Sequence, residues 1–366
     1  MYVYINIIYI SVPNKCSKNS VSGFQIPPKS FQKIWLMESK NLWQLISFYL
    51  STTLALLRHL VLHILTLNQS PFIIKFMDLI LSVYFRLCDL SPCAVDLDDQ
   101  TTIHFWVTNH RRFDRPSLVM IHGYGGNPLW QFVYQVGPLS RRFNLYIPDL
   151  LFFGKSHSKS PFRSEFFQAK CLSDGLKRIG VDRYSVYAIS YGGFVAYRMA
   201  EIRPDAVEKV AIVSSGLSYT DEQRDQQLRT IGWHPSEILV PKKPDDLRLL
   251  VNLSTFKQST LNWVPDFLLR QFITLMYDHC RKEKIELADY LVQKKADPNL
   301  HVLTQETLII WGDQDKVFPL ELAYNLQRHL GKNSRLEIIK NVGHAANLES
   351  PDELNKLIFS FVIGCS

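Results

Sequence analysis

From Thr102 onward, short apolar runs alternate with stretches of helical character, and this alternation constrains the fold more than any other feature of the chain. The runs are Thr102–Val107, Leu118–Ile121, Asn144–Ile147, Ser185–Ile189, Val210–Val213, Thr307–Ile310 and Arg335–Ile339. Several are apolar at successive positions, so both faces must be covered, as in the central strands of a parallel sheet. The segments between them, Trp130–Leu139, Phe166–Ile179, Gly193–Ile202, Leu320–Leu330 and Pro351–Ile363, have helical periodicity. Such alternation predicts a mostly parallel sheet with helices on both faces. One long interruption breaks the rhythm. Between Val213 and Thr307 the apolar residues recur at three-to-four spacing, which predicts a helical insertion over about 217–303 lying as a lid above the carboxyl edge of the sheet.

The first hundred residues differ. A hydrophobic extension is expected over 1–90, ahead of a domain at 95–363. Met37 is a plausible start, which would make residues 1–36 dispensable. Leu42–Leu67 is dominated by Leu, Ile, Phe, Trp and Tyr, with Arg58 its one formal charge. About 20 apolar residues suffice to span a bilayer. A central arginine costs roughly 2.5–3.5 kcal/mol on insertion scales, so the segment also suits a helix lying in the interface. Membrane association through residues 42–67 is the expectation, with a cytoplasmic location as the alternative.

Composition narrows the partners. The net charge is +7, but the basic residues are scattered and form no block interleaved with aromatics, which argues against nucleic acid. The six cysteines show no paired spacing of the kind that holds a metal. No metal or organic cofactor is expected.

The chemistry gathers at the ends of the strands. Ser190 follows the run Ser185–Ile189 and precedes Tyr191-Gly192-Gly193, a strand-to-helix corner that presents a hydroxyl on a tight turn. His122-Gly-Tyr-Gly-Gly126 follows another strand, where glycines let backbone N–H groups turn inward. The N–H groups of Tyr124 and Tyr191 are the expected oxyanion donors. After Thr307–Ile310 comes Trp311-Gly-Asp313-Gln-Asp315, of which Asp315, deeper in the loop, is chosen over Asp313 as the carboxylate that holds a histidine. That histidine is His344, in the glycine turn after Arg335–Ile339. A neutral imidazole accepts a serine proton near pH 7. Asp149 precedes the serine and reads as a loop organiser, and His122 as a brace.

The order Ser190, Asp315, His344, each after a strand, together with Asp149-Leu-Leu-Phe-Phe-Gly-Lys-Ser156, resembles α/β-hydrolase-fold proteins. The nearest likeness is to plant-type members that are themselves similar to monoacylglycerol lipases and to hydrolases of ring-cleavage products. Ala188 stands where the family's Gly-x-Ser-x-Gly pattern has its first glycine, a mild departure. The resemblance implies a serine hydrolase of a carboxylic ester, and the aromatic residues of the insertion (Trp233, Phe256, Trp263, Phe267, Phe272 and Tyr277), with the apolar N-terminal segment, favour an apolar acyl part. The alternatives the resemblance admits are carbon–carbon hydrolysis of a diketone and a slow-turnover ligand receptor.

Overall fold

A computed structural model describes residues 44–59, 61, 71–257, 260–297 and 300–364. They fall into two compact units, Met1–Ser70 and Pro71–Ser366. In the first, residues 44–59 form a helix whose Leu45, Phe48, Tyr49, Leu56 and Leu57 are exposed. The Thr52 hydroxyl donates to the Phe48 carbonyl at 2.6 Å, which withdraws a polar group into the helix itself. Among the described residues no helix is long and apolar enough to cross a membrane. The rest of the expected segment 42–67, and residues 1–36, lie outside the described residues.

The second unit begins earlier than the sequence reading placed it. Helix α1 (Phe72–Leu87) buries Ile74 and Phe85, and Phe85 packs edge-on against Trp106 at 5.4 Å. Strand β1 (Leu90–Asp96) follows and pairs antiparallel with β2 (Thr101–Thr108). In the sequence reading α1 falls within the extension, because its exposed residues are as apolar as its buried ones, and β1 carries no strand assignment. Pro92 also disguised β1, yet it is tolerated there because an edge strand has a side free of partners.

Next come β3 (Ser117–Ile121), α2 (Pro128–Gln131), α3 (Val133–Ser140), β4 (Asn144–Pro148), the two-residue β5 (His157–Ser158), α4 (Glu165–Arg178) and β6 (Tyr184–Ile189). Helix α5 (Tyr191–Ile202) and β7 (Val207–Val213) precede the insertion. The insertion holds α6 (Asp221–Ile231), α7 (Pro235–Leu239), α8 (Pro244–Ser254), α9 (Asp266–Ile273) and α10 (Arg281–Gln293). The chain then closes with β8 (Glu306–Gly312), α11 (Glu321–Leu330), β9 (Ser334–Ile339), α12 (Ala346–Glu349) and α13 (Pro351–Ile363).

Among the described residues nine strands form one sheet, ordered β1-β2-β4-β3-β6-β7-β8-β9 with β5 on β2. Pairing is parallel from β4 through β9 and antiparallel around β2. Every residue of β3, β4 and β6 is buried, as strands covered on both faces require. One core lies on each side. Val119, Val186, Ile212 and Trp311 face α4, α5 and α11, whereas Met120, Tyr187, Val213 and Ile310 face α3 and α13. The parallel strands end at a common edge, so the loops after β3, β6, β8 and β9 meet there.

Candidate active site

Ser190 occupies the corner between β6 and α5 with φ 54° and ψ −121°, a conformation strained for a residue with a side chain. Its N–H donates to Val213 O at 2.8 Å, and its carbonyl accepts from Gly193 N at 2.9 Å. Here α5 presses closely on the loop after β3, an approach that only a residue without a side chain permits at Gly192. A Cβ on Gly192 would come within 2.6 Å of the carbonyl oxygens of Ile121 and His122.

His344 sits 2.9 Å from this hydroxyl through Nε2, and its Nδ1 lies 2.9 Å from Asp315 Oδ2. The Asp315 side chain is fully buried, and its Oδ1 accepts from the N–H groups of Val317 and Phe318, both at 2.8 Å. These bonds leave Oδ2 for the imidazole. Nδ1 carries the proton it shares with the carboxylate, and Nε2 is left as acceptor for the serine. Asp313 is occupied elsewhere: it accepts from Asn341 N at 2.7 Å and lies 3.9 Å from Lys340. The ring of Phe318 packs edge-on against His344 at 5.3 Å.

The glycine loop after β3 lies beside this chain of hydrogen bonds, with the rings of Tyr124 and Tyr191 edge to face at 6.0 Å. As the first residue of α5, Tyr191 has no intrahelical acceptor for its N–H. Gln131, which sequence reasoning missed, braces the loop. Its Oε1 accepts from Gly123 N at 2.8 Å, and its Nε2 donates to the carbonyls of Gly123 and Gly125. His122 is fully buried, and its Nε2 accepts from Leu150 N at 3.0 Å, so Nδ1 carries the proton, 2.7 Å from Gly123 O. Burial holds its pKa below the ordinary value, with Asp149 pulling the other way. It is thus a neutral structural link between the loops after β3 and β4. Asp149 organises its own loop: Oδ2 accepts from Lys155 N at 2.8 Å and lies 2.8 Å from His104 Nδ1.

Two further groups carried no motif. Glu349 accepts from Gly343 N at 2.7 Å, next to His344, and from the N–H groups of Phe256 and Lys257 in the insertion. Lys284 is buried, donating from Nζ to the carbonyls of Met276 and His279, both at 2.7 Å. Burial pushes its pKa down to about 8.

The insertion covers a cavity of about 250 Å³ that reaches Ser190 and His344 and is walled mainly by side chains such as Phe194, Leu217, Tyr219, Leu228 and Ile231. Of the aromatic residues noted in the insertion sequence, Trp233 lines this cavity, whereas Trp263 is exposed and Phe272 packs on Trp130 at 5.2 Å.

A buried serine–histidine–carboxylate chain at the carboxyl edge of a parallel sheet, under a helical insertion, marks the protein as an enzyme of the hydrolase class. Residues 116–351 match the alpha/beta hydrolase fold family, and the chain belongs to it. It is 25% identical to mouse monoacylglycerol lipase ABHD6 over 260 residues, 68% of this chain and 76% of that protein. It is also 25% identical over 274 residues to a 2-hydroxy-6-oxononadienedioate/2-hydroxy-6-oxononatrienedioate hydrolase of Paraburkholderia xenovorans LB400, covering 72% of this chain and 92% of that one. Among solved structures it superposes on a bacterial membrane phospholipase A with a TM-score of 0.66 at 23% identity, covering 79% of this chain and 91% of that one. That likeness is one of fold.

Proposed function

We propose that the protein is a serine hydrolase that cleaves a carboxylic ester with an apolar acyl part through an acyl-enzyme. Ser190 Oγ attacks the carbonyl carbon while His344 Nε2 takes its proton, and Asp315 steadies the imidazolium that results. The N–H groups of Tyr124 and Tyr191 bind the oxyanion. His344 then gives its proton to the departing alcohol. Water repeats the sequence, attacking the acyl carbon as His344 takes its proton, and the acid leaves as Ser190 regains its hydroxyl. The observation that carries this reading is the unbroken hydrogen-bond chain from Asp315 through His344 to Ser190, opening into a largely apolar cavity.

The test joins a fluorophosphonate probe to turnover of short- and long-chain nitrophenyl esters. Wild-type protein should label and turn over; Ser190→Ala should do neither, with a loss on the order of 10⁴–10⁶ in kcat. Labelling without turnover would point to a receptor, and turnover of dienones but not esters to carbon–carbon hydrolysis. A Ser190→Ala protein that keeps most of its esterase activity would refute the nucleophile.

The reading extends to location: the N-terminal region brings the enzyme to a lipid surface. Two exposed apolar faces support it. One is the helix over 44–59. The other is on α1, where Phe72, Phe76, Leu79, Ile80, Val83 and Leu87 are exposed beside Lys75 and Arg86, so the charged residues on that face are basic.

A further inference from the structure

The glycine loop that carries the Tyr124 N–H has little rigidity of its own. Gly125 and Gly126 hold φ of 86° and 69°. Glycine reaches such angles freely and leaves them as freely, so the surroundings must impose them. Donors for an oxyanion have to be aimed before the charge develops. Gln131 supplies part of that aim from the end of α2, through its bonds to Gly123 and Gly125. Helix α2 is itself a single turn, and its cap is weak: Asn127 Oδ1 accepts from Trp130 N at 3.4 Å. One turn of helix does not stand unaided.

What holds α2 comes from α1. Asp78 Oδ1 accepts from Asn127 Nδ2 at 3.1 Å and from Trp130 Nε1 at 3.0 Å. One carboxylate oxygen thus grips α2 at its cap and at the ring one position before Gln131. Asp78 is the sole acidic residue of α1 and is half-buried, with no ion pair to a cation among the described residues. For seating an apolar helix alone a leucine would serve better, since withdrawing a carboxylate from water costs free energy. Bonds to a charged acceptor are the stronger kind, and here both are spent on α2. The start of α1 is pinned in turn, as Gln271 Oε1 of α9 accepts from Ile73 N at 3.1 Å. The Trp130 ring also lies edge-on to Phe272 of α9. Both α1 and α9 therefore bear on the one indole.

We infer that Asp78 is a positioning residue for the oxyanion hole. By fixing Asn127 and Trp130 it sets Gln131, and through Gln131 the glycine loop that presents the Tyr124 N–H. The inference rests on the ester-hydrolase reading above. Asp78 touches neither substrate nor the reacting atoms, so its loss is felt in the transition state and not in the binding of the ester. Phe76, Leu79 and Val83 on the same helix are exposed, so the segment proposed to meet lipid is also the one that aims the donor.

The test uses the full chain. Asp78→Ala should lower kcat for nitrophenyl esters about 10- to 100-fold, part of the loss that removing an oxyanion donor brings, with KM within about twofold. A decyl trifluoromethyl ketone adds to Ser190 as a tetrahedral anion, so its Ki should rise by the factor that kcat loses. The matching methyl ketone, which stays a ketone, should keep its Ki. Asp78→Asn retains an oxygen for both donors and should restore kcat to within about threefold of wild type. A merely structural role would move both inhibitors together. Asp78→Ala with wild-type kcat, equal rises in Ki for the two ketones, or Asp78→Asn as impaired as Asp78→Ala would each overturn the inference. If Asp78→Ala fails to fold, Asn127→Ser combined with Trp130→Phe takes its place. That pair removes both N–H donors but keeps a capping oxygen and an aromatic ring, and wild-type kcat there would overturn the inference. Absence of ester turnover in the wild type would count against the hydrolase reading alone, and the two ketones would still decide the part played by Asp78. A wild-type protein that binds both ketones alike has no oxyanion hole to position, which overturns the inference as well.

Discussion

Replacing Asp315 by asparagine isolates what its carboxylate does for His344. Oδ1 accepts two backbone N–H bonds, from Val317 and Phe318, at 2.8 Å each. Each is worth about 1 kcal/mol, and rotating the amide would set its NH₂ against both donors, so the asparagine must keep its oxygen there. Its NH₂ then faces His344 Nδ1, now 2.9 Å from Oδ2. Two donors cannot share that contact. The imidazole changes tautomer, Nδ1 becomes the acceptor, and Nε2–H points at Ser190 Oγ, where it can no longer take a proton. Loss of the orienting carboxylate in a serine protease lowers kcat by about 10⁴, or about 5.5 kcal/mol at 1.36 kcal/mol per tenfold, and a similar loss is expected here. The assay is initial-rate hydrolysis of a nitrophenyl ester, with denaturant melts to show that both variants fold. Asp313→Asn should retain most activity, since its Oδ1 serves Asn341 N and not the histidine. A loss below tenfold in Asp315→Asn, or equal losses in the two variants, would refute the reasoning.

Gly192→Ala should lower stability by about 1–3 kcal/mol and cut activity, because the added methyl meets two backbone carbonyls at 2.6 Å that have no rotamer to change; an unshifted Tm would contradict this. Lys284 predicts a pH dependence. Its folded pKa is about 8 against an ordinary 10.5, so between those values the unfolded chain holds a proton that the folded one has released, and stability from this residue rises with pH by up to about 3 kcal/mol. Below pH 8 that gain is absent. Lys284→Met should flatten the rise in urea melts from pH 8 to 10.5, and an unchanged slope would rule out the assignment. Full-length protein should float with anionic vesicles, and Phe76→Ser with Leu79→Ser and Val83→Ser should weaken flotation several-fold; the reverse result would leave those residues without a lipid role.

The parallel strands and their following loops were legible in the sequence because each element there is covered on both faces and writes a continuous apolar run. Ser190, Asp315 and His344 could be picked out for the same reason: they follow such runs directly, and the structure places their side chains within hydrogen-bonding distance. Helix α1 was not legible as part of the body, since only Ile74 and Phe85 are fully buried and its exposed residues are equally apolar. Gln131, Asp78 and Glu349 were invisible for a different reason. Each works through a contact made by the folded chain: Gln131 on the glycine loop, Asp78 with Trp130 across 52 residues of sequence, and Glu349 with the N–H of Phe256. Residue type and neighbours in sequence carry no trace of such pairings.

The Glu349 carboxylate fastens the covering helices to the turn that bears His344. It holds Phe256 and Lys257 on one hand and Gly343 on the other, while Ala345 N donates to Ser254 O at 2.8 Å. The far end of α8 is therefore stitched to the turn that bears His344, and it cannot lift without pulling the imidazole off the serine. Helix α6, which has no buried residue, is held differently, by Gln227 Nε2 donating to Lys316 O at 2.8 Å and Val317 O at 3.3 Å. A disturbance at the α8 end of the roof is thus felt first as a loss of aim in the proton-carrying ring.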